Sequence, residues 1–160
     1  MSELLKKEPV KRVEEFLKKF DPNLKIIVLD TTARTAKDAA NSLKCELGAI
    51  VKSLVFKAED TFIICLVSGD KRCSLNKLKK ILNKKDVAMA NADQVKENTG
   101  FSIGGVAPTG HLKKLNIIVD KSLSRFKYVY GAAGHPDCVF RITYPELVKL
   151  TIGSEQEIIE

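Results

Sequence analysis

The chain of 160 residues is 44% hydrophobic and 29% charged, enough for one domain with its own core and too apolar for a disordered segment. Its 27 lysines and arginines against 20 acids leave a net charge of +7, which attracts polyanions such as RNA or DNA and says nothing about fold. No run approaches the roughly 20 apolar residues of a membrane helix, and the charged N-terminal stretch lacks the apolar segment of a signal peptide, so no membrane partner and a cytoplasmic location are expected.

Along the chain, Val10, Val13, Phe16, Leu17 and Phe20 recur at helical spacing behind Pro9, and Asp21-Pro22 ends the run, which predicts an amphipathic helix. KIIVLD (25–30) is short and β-branched and predicts a strand. Thr35 with Asp38 three residues later resembles a capping box and predicts a helix through Leu43, packing by Ala36, Ala39, Ala40 and Leu43. AIVKSLVFK (49–57) and TFIICLVSG (61–69), separated only by AED, predict an antiparallel hairpin at the centre of the sheet. Ser74 caps a predicted helix with Leu75, Leu78, Ile81 and Leu82 inward and Lys77, Lys80 and Lys84 clustered outward. A short strand at 87–89, a helix over 91–98, and strands at LNIIVD (115–120), YVYG and CVFRI follow, the last two joined by AAGHPD. A final helix over 144–150 precedes an acidic tail, residues 152–160. Strands outnumber helices and tight turns join many of them, so the chain reads as a single α+β domain: a mixed, largely antiparallel curved sheet with peripheral helices.

Three features stand out chemically. Strand alternation places Lys52 on one face with Ile50, Leu54 and Phe56, while Val51, Ser53 and Val55 take the other. A lysine there either snorkels to solvent or stands at a pocket edge, where an anionic ligand or a developing negative charge would repay its burial. The segment Gly104-Gly105-Val106-Ala107-Pro108-Thr109-Gly110-His111 allows close backbone approach to a ligand, yet it has neither the G-K-[ST] of a phosphate loop nor the G-x-G-x-x-G of a dinucleotide fold. His111 and His135, the only histidines, sit in loops without metal spacing, and Cys45, Cys65, Cys73 and Cys138 contain no C-x-x-C. No metal or other cofactor is expected, the thiols are expected to be reduced, and no catalytic triad can be assembled.

Taken together, TARTAKDAA (32–40), IVKSLVF (50–56), GFSIGGVAPTGH (100–111) and AAGHPDCVFRITYPELVKLT (132–151) resemble the YbaK/prolyl-tRNA synthetase-associated editing-domain family, in order and over nearly the whole chain. Without synthetase motifs the chain is similar to free-standing members, which hydrolyse mischarged aminoacyl-tRNA in trans. The resemblance implies a catalytic set of Lys52, Gly104, Gly105 and Pro108. It implies an aminoacyl site lined by Ser53, Val106, Ala107, His111, Gly134 and His135, with Lys77, Lys80 and Lys84 holding the tRNA body. The partners it implies are mischarged tRNA and an aminoacyl-tRNA synthetase. The resemblance implies that the terminal ribose hydroxyl of the tRNA assists, so a strong protein nucleophile is not required. Ala132 and Val139 stand where the cysteinyl-tRNA deacylase branch carries a serine and an aspartate, which favours small residues such as alanine or 2-aminobutyrate on tRNA for proline. The alternatives are cysteinyl-tRNA deacylation and a non-catalytic tRNA-binding module using the same pocket.

Overall fold

Local rules set most of the secondary structure. The computed structural model describes residues 3–30 and 35–160, so residues 32–34 of the TARTAKDAA stretch lie outside the described residues. Helix α1 (Glu8–Phe20) takes Pro9 in its first turn and buries Val10, Val13 and Leu17. After β1 (Ile26–Val28), the Thr35 hydroxyl accepts from the Asp38 N–H and opens α2 (Ala36–Leu43). Strands β2 (Val51–Ala58) and β3 (Thr61–Ser68) form the expected hairpin, with Lys52 opposite Val67 and Leu54 opposite Cys65. Ser74 caps α3 (Leu75–Leu82), and Asn91 and Gln94 form a reciprocal capping box on α4 (Ala92–Thr99), with β4 (Val87–Met89) between. Strands β5 (Asn116–Asp120), β6 (Tyr128–His135) and β7 (Cys138–Thr143) follow, and Thr143 caps α5 (Tyr144–Thr151).

The fold is α+β as expected, but the strands divide into two sheets. One is three-stranded in the order β1-β7-β6 and wholly antiparallel. The other is five-stranded, β4-β2-β3-β5-β8, and gains parallel pairs at β5. Its last strand, β8 (Ser154–Gln156), corrects the reading of residues 152–160 as a tail. Residues 154–156 run parallel to β5, Ile158 is fully buried, and its N–H donates to the buried Asp120 carboxylate at 2.8 Å. The polar SEQ stretch shows no alternation, so only a partner strand distant in sequence reveals it.

The largest core lies between the sheets. Val51, Val55, Ile64, Leu66, Ile117 and Val119 of the five-stranded sheet share it with Val129, Phe140 and Ile142 of the other and with the apolar stripe of α1. The outer face of the five-stranded sheet packs Phe56, Ile63, Cys65 and Val67 against Leu78 of α3 and Ile158. Leu75 and Ile81 are not inward as expected; both are exposed, because this narrow cluster accepts Leu78 and part of Leu82 only. The outer face of the three-stranded sheet carries Val139 and Tyr130 beneath Ala39, Ala40 and Leu43 of α2, the packing face read from the sequence.

Candidate functional site

A bridge between Ile50 and Tyr130 is where the two sheets meet, and a cavity of about 260 Å³ opens beside it. One wall is the start of β2, from Ile50 to Val55; another is Thr35, Ala36 and Ala39 at the head of α2. Met89, Ala90 and Val95 close a third side, and Ile103, Gly104 and Val106 of the glycine-rich loop a fourth. Tyr130, Ala132, Pro136 and Val139 complete the lining from the β6–β7 hairpin, in which Ala132 and Val139 are register partners.

The strand geometry separates Lys52 from Ser53. Ser53 shares the cavity side of β2 with Val51 and Val55, and among the described residues its Oγ is the buried side-chain polar atom with no hydrogen-bond partner. A buried hydroxyl left unpaired costs about 1–3 kcal/mol, and a donor and acceptor of this kind, facing a cavity, is what a polar ligand group would satisfy. Lys52 also borders the cavity, but its ammonium is turned away and donates to the Lys71 carbonyl at 2.5 Å. Burial pushes the Lys52 pKa down and Arg72 adds to this, while Asp70 and Cys73 oppose it.

The glycine-rich loop divides in function. Gly104, at φ +93°, turns at the cavity with Pro136 across from it, and such a turn excludes most side chains. The Gly105 N–H is tied to Ser102 O at 3.0 Å, and Gly105 packs on the backbone of Gly134 and His135, so the two loop motifs do meet. Beyond Val106 the loop enters the core: Ala107 is fully buried and Pro108 packs against Gly131. His111 is engaged within the loop, its Nε2 2.7 Å from Ala107 O and its ring edge-on to Phe101 at 5.9 Å. Burial pushes its pKa down, against the pull of the Ala107 carbonyl, and Arg12 lowers it further. Gly105, Ala107, Pro108, His111, Gly134 and His135 therefore lie outside the cavity lining. His135 instead accepts from the Asp137 N–H through Nδ1 at 3.0 Å, closing the hairpin end.

Nor do Lys77 and Lys80 of α3 and Lys84 just beyond it form one free basic face. Lys77 donates to Ile159 O at 2.7 Å and pairs with Glu157 at 3.3 Å, clasping the C-terminal segment, and Lys84 lies 3.9 Å from Glu59. Lys80 remains exposed. Among the described residues no three His, Cys, Asp or Glu side chains are grouped to hold a metal ion, and no helix is long and apolar enough to cross a membrane. The residue reading missed Thr35, Tyr130 and Pro136 as lining residues. Thr35 was legible only as a cap, and Tyr130 only as one alternating strand residue.

The chain is similar to known proteins in sequence and fold. The family model described as the aminoacyl-tRNA editing domain matches residues 30–150. A solved structure named as a candidate trans-editing enzyme for prolyl tRNA synthetase is similar at a TM-score of 0.91 and 37% identity, over 96% of this chain and 98% of its own. YwhH, an uncharacterized protein of Bacillus subtilis (strain 168), is 31% identical over 125 residues, which are 78% of this chain and 79% of YwhH. The proline--tRNA ligase of Thermosipho africanus (strain TCF52B) is 36% identical over 105 residues, 65% of this chain but 18% of the ligase.

Proposed function

The chain belongs to the aminoacyl-tRNA editing-domain family, and from that premise we propose that it hydrolyses, in trans, the ester of tRNA charged in error with a small amino acid, tRNA for proline being the first acceptor to test. The observation that carries this reading is the unpaired Ser53 hydroxyl in an apolar cavity at the seam of the two sheets.

An aminoacyl ester is already activated, so the protein needs to hold it, exclude wrong side chains and favour the developing oxyanion; no strong nucleophile is required. In this reading the amino-acid side chain enters between α2 and the β6–β7 hairpin. Ala132 and Val139 present methyl groups there rather than the hydroxyl and carboxylate of the cysteine-acting branch, which supports a small aliphatic side chain over a thiol. Selection then rests on size, and one methylene is worth roughly 1–3 kcal/mol. Ser53 Oγ supplies a hydrogen bond to the polar end of the substrate, and Gly104 lets the ester approach the loop backbone. Lys52 exchanges its bond to Lys71 O for the anionic 3′ end of the tRNA.

Release of amino acid from tRNA for proline, cysteine and alanine, each charged with alanine, 2-aminobutyrate or cysteine, tests the reading. Hydrolysis is expected to be fastest for the small aliphatic esters, and Ser53→Ala is expected to slow it about tenfold while leaving the fold intact. Absence of turnover on every ester overturns the enzyme reading. The hold of Lys71 O on the Lys52 ammonium, away from the cavity, favours a second reading: a tRNA-binding module without turnover, whose salt-sensitive affinity would survive Lys52→Ala.

A further inference from the structure

Behind the cavity, on the opposite face of β2, lies a pair of thiols that ester hydrolysis does not use. Cys65 of β3 is fully buried, with Leu54 on one side and Ile118 on the other as its cross-strand neighbours. Cys73, half-buried, packs on the same apolar cluster that contains Cys65, and the two thiols are near enough that each shifts the other's ionisation. The segment carrying Cys73 is held on both sides. Cys73 is bridged to Ile159, Arg72 O accepts from the Glu160 N–H at 2.9 Å, and Lys71 O accepts from Lys52 Nζ at 2.5 Å.

We propose that Cys73 and Cys65 are an oxidisable dithiol, a modification site at which hydrogen peroxide closes a Cys73–Cys65 disulfide and displaces the Lys71 carbonyl that holds Lys52. The surroundings assign the two roles. The Cys65 thiol and the Lys52 ammonium both lie near Cys73 and draw its pKa down, against burial, Asp120 and Glu160. The Cys65 pKa is pushed up, first by the Cys73 thiol and then by burial, so Cys65 keeps its proton. The thiolate is the reactive form, and a partly exposed, electropositive site favours it.

Cys73 therefore attacks one peroxide oxygen: an S–O bond forms, the O–O bond breaks, and the departing hydroxide takes the proton that Cys73 had released, giving water and a Cys73 sulfenic acid. Cys65 sulfur then attacks Cys73 sulfur. The S–S bond forms, the S–O bond breaks, and the hydroxyl leaves with the Cys65 proton as a second water. Two thiols have lost two electrons and peroxide has gained them. A disulfide of about 2.05 Å is much shorter than a thiol–thiol contact, so Cys73 moves inward and carries the Lys71 carbonyl with it. The disulfide stands on its own; its effect on turnover rests on the deacylase reading.

The test treats the full, reduced chain with hydrogen peroxide and maps its peptides by mass without reduction. Expected is a loss of two hydrogens and a cross-link between the peptides holding Cys65 and Cys73, reversed by dithiothreitol and abolished in Cys73→Ser. Cys65→Ala should stop at a Cys73 sulfenic acid that dimedone traps. Because a change at buried Cys65 can unfold the chain, the wild-type map decides: a cross-link to Cys45 or Cys138, or a Cys73 that stays reduced, overturns the proposal. Lys52→Gln should slow Cys73 oxidation about three- to tenfold, and an unchanged rate removes Lys52 from it. Deacylation by the oxidised chain should rise severalfold, because Lys52 is released from the Lys71 carbonyl, and fall back with reductant. A cross-linked chain with unchanged turnover overturns the coupling, whereas a reduced chain with no turnover overturns the deacylase reading and leaves the cross-link standing.

Discussion

Lys52 and Ser53 are adjacent in sequence and face opposite sides of β2, and the two sides are built for different ends. On Ser53's side, apolar walls from α2, α4 and the β6–β7 hairpin leave a hydroxyl unpaired at a cavity. On Lys52's side, the cation is held by a backbone carbonyl beside Asp70, Arg72 and a thiol pair, and the C-terminal segment closes over them. Satisfied polar groups stabilise a fold, whereas an unsatisfied one at a cavity is a standing cost that a ligand can remove. Under the proposed function, recognition falls to the Ser53 side and the Lys52 side is the part that can be adjusted.

The largest expected effect breaks that division if it fails. Lys52→Ala should lower kcat/KM on mischarged tRNA about 10²–10³-fold, roughly 2.7–4 kcal/mol, with little change in Tm; steady-state kinetics beside a thermal melt separate the two. An equal loss in both would make Lys52 purely structural. At the hairpin behind the cavity, Gly134→Ala should destabilise the fold by about 1–3 kcal/mol in urea titration, because a Cβ there would meet the Pro9 backbone at 2.7 Å and φ is +89°. This measures how firmly α1 seats the hairpin that floors the cavity.

A pH titration sharpens the Lys52 side. The hydrogen bond from Arg125 is the main cause that holds Asp70 down at about 2, against an ordinary 3.8, with Ser68 assisting. A carboxylate depressed in the folded state stabilises the fold above its unfolded value, and that contribution disappears as pH falls from about 3.8 through about 2. Asp70→Asn should therefore flatten the acid limb of stability in that window, by less than about 1 kcal/mol because the pair is partly exposed. Smallest of all, Lys80→Glu should weaken tRNA binding modestly and reduce the salt slope by about 0.7–0.9, as for one lost phosphate contact, measured by titration at several salt concentrations.

What was legible in the sequence follows the range of the forces involved. The caps at Thr35 and Ser74 and the β2–β3 hairpin obey rules that act over a few residues, and each was readable. Ser53, Val106, Gly104 and Lys52, singled out from the sequence by strand alternation, glycine content or the family resemblance, line the cavity. That His111 and His135 stand outside the cavity lining was not readable, because the contacts that engage them, with Phe101 and with the turn at Asp137, depend on how the loops close. Nor was the engagement of Lys77 with Ile159, which needs the C-terminal segment to return across α3.

Periodicity and capping are encoded within one element, so the α+β class, the helix stripes, the central hairpin and the order of the family's motifs follow from the residues alone. The division of the strands into two sheets, the completion of one of them by residues 154–156 and the parting of Lys52 and Ser53 across β2 emerge in the folded chain. Those outcomes depend on pairings between segments far apart in the chain, and their free energy comes from the burial each segment offers the other.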